Sequence, residues 1–293
     1  MKDERKATGS TTASDAFPSS LPTIRTLGPK GSWIQSGSPS GFEWTLVHLP
    51  IANLPAELVG TRIIHITDIH SIGQWFDAYD VLIDAVRDAK PDMVFVTGDF
   101  VKAGRPIDSV VPCVKKLLAG LTARLGVFGV LGNHDRYGFA PHLADMNITM
   151  LDNQFLTVGR NGAAIELVGL PGTFREDLTD EWLTATTAAH PKRPTTPRLV
   201  LSHYPDQIRR TVALQPDVFF TGHTHGGQIC LPGGWPLVRH DSLPRKMLCG
   251  VQRFDNTWLI NNRGLGYTKV PLRLFCPNEV MEIVLERGKE NDQ

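Results

Sequence analysis

Five apolar runs in this chain end on groups that bind cations. "RIIHITDIH" ends on Asp68 and His70, and "DMVFVTGDF" ends on Asp99. "VFGVLGNHD" delivers Asn133, His134 and Asp135, "RLVLSHYPD" delivers His203, and "DVFFTGHTHGG" delivers His223 and His225. A single strand-terminal aspartate is ordinarily a turn residue or a helix cap. A single histidine at such a place is ordinarily a surface or hydrogen-bonded residue. Five endings that together hold half of the chain's ten histidines are not explained as independent caps. The donors are carboxylate, amide and imidazole without thiolate, a set that suits Mn, Fe, Zn or Co. Asp68, His70, Asp99, Asn133, His203, His223 and His225 make seven candidates. A mononuclear catalytic zinc centre takes about three protein ligands and keeps one position open, so seven is too many for one ion. Two divalent ions ~3.5–4 Å apart that share one bridging carboxylate would use them all. Asp99 is the natural bridge, because its strand is expected to lie between the others.

The elements that must position these groups read as an α/β arrangement. The five runs are short, continuous and rich in β-branched or aromatic residues, as expected of strands buried on both faces. In open α/β sheets ligands bind outside the carboxyl ends of the strands, where all these side chains fall. Gly98, Gly132 and Gly222 precede the functional groups in three of the runs and let the backbone turn sharply. "FEWTLVHLP" alternates like an antiparallel edge strand. "FDAYDVLIDAVRDA" predicts a helix with Val81, Ala85 and Ala89 on one stripe and Leu82 and Val86 beside it. "IDSVVPCVKKLLAGL" predicts a second helix with Pro112 near its first turn or kinking it. "DEWLTATTAAH" and "PDQIRRTVAL" are further helical stretches, and "TWLINN" and "VMEIVLE" read as strands in a more antiparallel late part. The expected architecture is one mixed domain over residues 42–286, two stacked sheets between helices. Residues 1–41 read as a mobile polar tail and residues 287–293 as a second polar tail.

Composition bounds the function. The chain has 293 residues, 41% apolar and 8% aromatic, as a globular protein should. Its formal net charge is zero, so no basic footprint for nucleic acid or an anionic membrane is expected. The four cysteines form no CxxC pair, which argues against a thiolate zinc site or a disulfide framework and favours a reducing compartment. No apolar run approaches the ~18 residues of a spanning helix, and the N-terminus lacks the ~7–15 apolar residues of a secretory signal. No GxSxG elbow, HExxH, Walker A or GxGxxG loop is present. "NIT" at 147–149 is read as a chance sequon. His65 is expected to face a core or helix layer, His48 an edge strand, and His142, His190 and His240 the surface.

Taken in order, DxH, GD, GNHD, a lone strand-terminal histidine and GHTH resemble the calcineurin-like metallophosphoesterase superfamily over about residues 60–228. "GHTHGGQICLPG" and "NRGLGYTKVPLRLFCPNE" further resemble a YaeI/YkuE-like bacterial phosphodiesterase branch. The chain is also similar to the chlamydial-type UDP-diacylglucosamine pyrophosphatase. The resemblance implies a four-layer α/β/β/α sandwich of two mixed sheets. It implies that Asp68, His70 and His225 hold one ion, that Asn133, His203 and His223 hold the other, and that Asp99 bridges them. His134 matches the catalytic histidine and not a ligand, in keeping with neighbouring residues of extended chain pointing to opposite sides. Asp135 is expected to orient His134 or a neighbour.

The implied reaction is hydrolysis of a phosphomonoester, phosphodiester or pyrophosphate bond, with the diester favoured. Two cations would neutralise phosphate oxygens and generate hydroxide from a bound water. His134 would protonate the leaving oxygen or stabilise a phosphoryl oxygen. The substrate class extends to a nucleotide-sugar lipid of the UDP-diacylglucosamine type. The hairpin that carries Ile229, Leu231, Trp235 and Leu237 either packs on the domain or forms an apolar lip for an acyl chain or a membrane. Arg263 is a candidate phosphate contact, against the plainer reading of a solvated arginine at a turn. Members of this branch often begin with a membrane segment or export signal. Neither is seen here, so the expectation is a cytoplasmic enzyme, peripheral to the membrane at most. The alternative is a catalytically weak interaction scaffold on the same fold, which would show a degraded ligand set.

Overall fold

Each of the five runs forms a strand: Arg62–Ile66, Met93–Thr97, Gly126–Val130, Arg198–Leu201 and Val218–Thr221. The computed structural model describes residues 21–27, 31–36, 41–135 and 138–288. The first three strands run parallel within a seven-stranded sheet. Its order is Thr23–Leu27, Glu43–Ile51, Glu279–Arg287, Arg62–Ile66, Met93–Thr97, Gly126–Val130, Thr149–Met150. The other two belong to a six-stranded sheet ordered Gly250–Phe254, Thr257–Asn261, Val218–Thr221, Arg198–Leu201, Ala163–Gly169, Gln154–Arg160. Both sheets are mixed, since parallel centres carry antiparallel outer strands.

Side chains alternate across each strand, and that alternation makes the layers. Ile63, Met93, Phe95, Phe128 and Val130 of the first sheet meet Leu167, Leu199, Leu201, Val218 and Phe220 of the second in one buried core. On its other face, the first sheet packs Ile64, Ile66, Val94 and Val96 beneath helices Asp77–Ala89 and Ile107–Gly120. The second sheet packs Val168, Val200, Phe219 and Leu259 beneath helix Asp180–Ala189 and nearby turns. The result is the expected helix, sheet, sheet, helix stack. Burying one such aliphatic or aromatic side chain contributes about 1.5–3 kcal/mol. These three clusters hold the sheets in fixed relation to each other.

Several local expectations are corrected. In helix Asp77–Ala89 the buried stripe is Tyr79, Leu82 and Val86, while Val81 faces solvent. Tyr79, with the largest apolar area, decides which face turns inward. Pro112 lies in the second turn of its helix, inside it. Pro112 and Asp108 are both exposed, so water can serve the Asp108 carbonyl that the proline leaves unpaired. "PDQIRRTVAL" forms two short 3₁₀ turns, Pro205–Arg209 and Val212–Leu214, and no α-helix. The Thr211 hydroxyl donates back to the Ile208 carbonyl at 3.1 Å and ends the first turn. Strand Glu43–Ile51, which carries His48, is not an edge. Thr23–Leu27 covers one side and Glu279–Arg287 the other. The segment expected as a tail thus supplies strand Thr23–Leu27, and Ile34–Ser36 pairs with Leu272–Leu274. Residues 1–20, 28–30 and 37–40 of that segment, and residues 289–293 of the C-terminal tail, lie outside the described residues. His65 lies in the layer between the sheets, edge-on to Phe220 with centroids 5.3 Å apart. No helix among the described residues is long and apolar enough to cross a membrane.

Candidate metal centre

Strand pairing continues past the strand ends and sets the register of the site. Asp68 N donates to Gly98 O at 3.0 Å and His70 N to Asp99 O at 2.9 Å. These bonds bring the Asp68–His70 turn against Asp99. A loop from the second sheet then closes over them, with Leu265 N on Thr67 O at 3.1 Å and Gly266 N on Asp68 O at 2.6 Å. Glycines allow the turns to touch. A Cβ on Gly132 would stand 2.3 Å from Asp99 Oδ1, and one on Gly222 2.3 Å from Asp68 Oδ2.

The backbone is strained where the donors sit. Asp68, His70, Asp99, His223 and His225 all have left-handed φ, between 45° and 67°. Such a residue costs about 1–3 kcal/mol and persists only where surrounding structure holds it. Five of these turns aimed at one place mark a built site.

All seven candidate donors converge. His225 Nε2 lies 3.2 Å and His70 Nε2 3.6 Å from Asp68 Oδ1. Asp99 Oδ2 lies 3.4 Å from His70 Nε2 and 3.3 Å from His203 Nε2. His203 Nε2 is 3.1 Å from Asn133 Oδ1 and 3.3 Å from His223 Nδ1. Donor atoms of Asp68, His70 and His225 form one compact group, those of His70, Asp99 and His134 a second, and those of Asp68, Asp99 and His203 a third. Asp99 Oδ2 thus reaches both His70 and His203.

Electrostatics show what the cluster lacks. Burial alone would raise Asp68 and Asp99, but the imidazoles around them hold both carboxyls well below the usual range. Burial lowers His223 to about 3 and His225 to about 4, so both rings are neutral and carry ligand lone pairs. Burial would also lower His203, yet the Asp99 carboxylate beside it raises it to about 9. Its Nδ1 is engaged by the Thr97 carbonyl at 2.8 Å, so Nε2 is the nitrogen that meets Asp99 and Asn133. Asp68 Oδ1 is buried without a well-aligned hydrogen-bond donor. Lone pairs that converge on one another with too few protons between them fit cations, and the hard-to-borderline O/N donor set fits divalent first-row ions.

His134 sits at the mouth. Its ring is edge-on to His70, centroids 4.5 Å apart, and its backbone N donates to Asp99 Oδ1 at 2.7 Å. Ala103 N donates to His134 Nδ1 at 3.1 Å, which leaves the proton of the neutral ring on Nε2. Burial lowers its pKa below the usual imidazole value. Asn133, His134 and His223 are partly exposed while Asp68, His70, Asp99, His203 and His225 are buried, so the cluster meets solvent beside the first three.

The carboxyl of Asp135 accepts from Gly132 N at 2.8 Å and Val101 N at 3.2 Å. It orients neighbours, by tying together the loops that carry Asn133 and Asp99. Burial, then Asp99, pushes it up to about 8. Arg263 is not poised for phosphate. Its Nη2 lies 2.7 Å from Glu43 and 2.9 Å from Glu279, and two carboxylates satisfy the guanidinium. Arg273, which nothing in "PLRLF" distinguishes, proves to be a support of the site. Fully buried, it donates to the carbonyls of Gly266 and Arg263 at 2.7 Å each and lies 3.1 Å from His225 Nδ1. It thereby fixes the loop whose Gly266 abuts His70.

Residues 61–227 match the calcineurin-like phosphoesterase family. "Transmembrane protein with metallophosphoesterase domain" of Danio rerio is 27% identical over a match covering 83% of this chain and 57% of that protein. UDP-2,3-diacylglucosamine pyrophosphatase LpxG of Chlamydia muridarum is 27% identical, covering 85% of this chain and 90% of LpxG. Phosphodiesterase YaeI of Escherichia coli is 27% identical, covering 76% of this chain and 82% of YaeI. The chain thus spans little more than half the length of the zebrafish relative.

Proposed function

The chain belongs to the calcineurin-like phosphoesterase family, and from that premise we propose that it hydrolyses phosphate esters at the strand-end cluster. The observation that carries this reading is the convergence of seven donors in one strand-end cluster, within which Asp99 reaches both His70 and His203. Asp68, His70 and His225 would hold one cation, Asn133, His203 and His223 the other, and Asp99 would serve both. Mn, Fe, Zn or Co suits the donors. A pair of such ions supplies positive charge against phosphate oxygens and acidifies water as the nucleophile.

The chain's own residues then set the geometry. Thr97 O and the strained turns aim the ligand atoms, and the buried ligands leave only the Asn133, His134 and His223 side open to substrate. His134, protonated on Nε2, donates to the leaving oxygen or to a phosphoryl oxygen. Burial keeps the ring neutral near pH 7, so hydrogen-bond donation is its main part.

Among esters, a phosphodiester or a lipid-linked nucleotide-sugar pyrophosphate is the favoured substrate. The activities for which YaeI and LpxG are named, both similar over most of this chain, support that choice. Four free thiols suit a reducing compartment, which supports the reading of a cytoplasmic enzyme. The scaffold alternative has no observation in its favour, since no ligand position is degraded. The test is manganese-dependent turnover of bis(p-nitrophenyl) phosphate against p-nitrophenyl phosphate. Faster release from the diester supports the reading, and no release from either compound with any divalent metal overturns it.

A further inference from the structure

A band of exposed apolar side chains begins at Leu231, six residues beyond His225. The hairpin Cys230–Leu231 and Trp235–Pro236 folds back so that Pro236 packs on Gly227, where a Cβ would stand 2.6 Å from it. Leu237 N donates to Ile229 O at 3.1 Å, and Gln228 joins the neighbouring loop through Val270 O at 2.7 Å and Thr268 N at 2.9 Å. Leu274 N donates to Gln228 O at 3.0 Å, and the next residue, Phe275, stacks on Trp33 with centroids 5.4 Å apart. Backbone bonds and ring contacts therefore make one continuous surface from three loops. On it Trp33, Leu231, Trp235, Leu237, Val238 and Val270 are each between 44% and 60% exposed. Elsewhere among the described residues, Leu21, Ile24 and Leu27 are exposed at one strand, while Val59, Val81 and Val212 lie on separate elements. The band is thus an unusual concentration rather than the ordinary scatter of surface apolar residues.

Charge on the same loops is predominantly positive. Between Gly226 and Asn256 the basic residues are Arg239, Arg245, Lys246 and Arg253, and the acids are Asp241 and Asp255, the latter beside Arg253 at the far turn. Asp241 is buried against Arg175 at 3.3 Å, so it offers solvent little negative charge. Between Asn256 and Asn278 there is no acid at all. Lys269 lies close enough to His240 to help lower its pKa after burial, which sets a cation of the second loop beside the hairpin. A neutral total charge conceals this local excess.

Aromatic and aliphatic side chains flanked by exposed lysine and arginine are what an anionic bilayer surface selects. Tryptophan settles at the headgroup level, aliphatic groups enter just below, and the cations meet lipid phosphates. We propose that this band docks on an anionic lipid bilayer and turns the mouth of the strand-end site toward the headgroups. That orientation rests on the phosphoesterase reading; the docking itself does not. A site held at that level would reach a phosphate near the membrane surface without extracting the lipid.

Co-sedimentation with phosphatidylcholine vesicles, with and without phosphatidylglycerol, tests the proposal on the full chain. The wild-type chain is expected to pellet with the anionic vesicles. W235E combined with L237E should abolish pelleting. R239E and K269E should each weaken it by about fivefold or more, as removal of one surface cation implies. All variants should keep wild-type melting temperatures and wild-type turnover of water-soluble bis(p-nitrophenyl) phosphate. Failure of the wild-type chain to pellet overturns the proposal, as does wild-type pelleting by W235E/L237E. A dimer that W235E/L237E converts to monomer, without vesicle binding, would assign the band to a second copy of this chain and overturn it too. Pelleting without ester hydrolysis would uphold the docking while removing the phosphoesterase reading.

Discussion

His203 Nδ1 lies 2.8 Å from the carbonyl oxygen of Thr97, and this bond decides which face of the imidazole meets the cluster. The nitrogen left over, Nε2, is the one within 3.3 Å of Asp99, Asn133 and His223. A strand of the first sheet thus orients a ligand supplied by the second, so the site exists only while the two sheets are docked. Removing a side chain from one set of donors should therefore differ from removing one that both sets share. H225N is expected to lose about one of two bound manganese ions, whereas D99N should lose both or bind them at least ~10-fold more weakly. Elemental analysis after gel filtration reads the difference.

His134 is the contrasting case. It touches Asp99 through its backbone and offers Nε2–H at the mouth, without standing in the ligand set proposed here. H134A is expected to retain both ions and lose roughly 10²–10⁴-fold in kcat, the usual worth of a positioned proton donor. Metal content and kcat measured on the same preparation check this, and H134A with near-normal kcat at full occupancy would remove the role.

Gly222 allows no side chain. A Cβ there would stand 2.0 Å from Thr67 Oγ1 and 2.3 Å from Asp68 Oδ2. G222A must push the Asp68 turn away from His223, at a cost of about 1–3 kcal/mol in stability for the overpacking. The expected result is a lowered melting temperature and a larger loss of metal affinity than G159A shows, since a Cβ at Gly159 would meet nothing nearer than 3.9 Å.

Glu279 links stability to acid. Burial would raise its carboxyl, but Arg263 and Thr45 hold it below the ordinary value of 4.5. A group depressed in the folded state stabilises it fully above the unfolded pKa, and the contribution disappears as pH falls through the folded pKa. The metal-free chain should therefore lose melting temperature on acidification below about 4.5, and E279Q should start lower and change less across that range. Thermal unfolding followed from neutral pH downward measures both slopes; equal slopes would remove Glu279 as a contributor.

Much of this arrangement could be read from residue order. Asp68, His70, Asp99, Asn133, His203, His223 and His225 were visible because each follows a short apolar run, and parallel strands place such ends on one edge. Asp99 could be placed centrally for the same reason, and Met93–Thr97 does lie between its two parallel neighbours. What sequence could not show depends on distant partners. Arg263 looks free in "NNRGLG" until Glu43, 220 positions away, closes on it. Strand Glu43–Ile51 looks like an edge because its cover, Thr23–Leu27, comes from a segment with little to bury. Arg273 could not be recognised as buried, because its partners are backbone carbonyls that carry no residue signature. Charge behaved likewise, since a total of zero hides loops that are predominantly positive.

The direct test is anomalous diffraction at the manganese edge from crystals grown with the metal. Two peaks about 3.5–4 Å apart, with Asp99 reaching both, are the expected result. One peak alone, or two that leave Asp68 or His203 outside contact distance, would contradict the account.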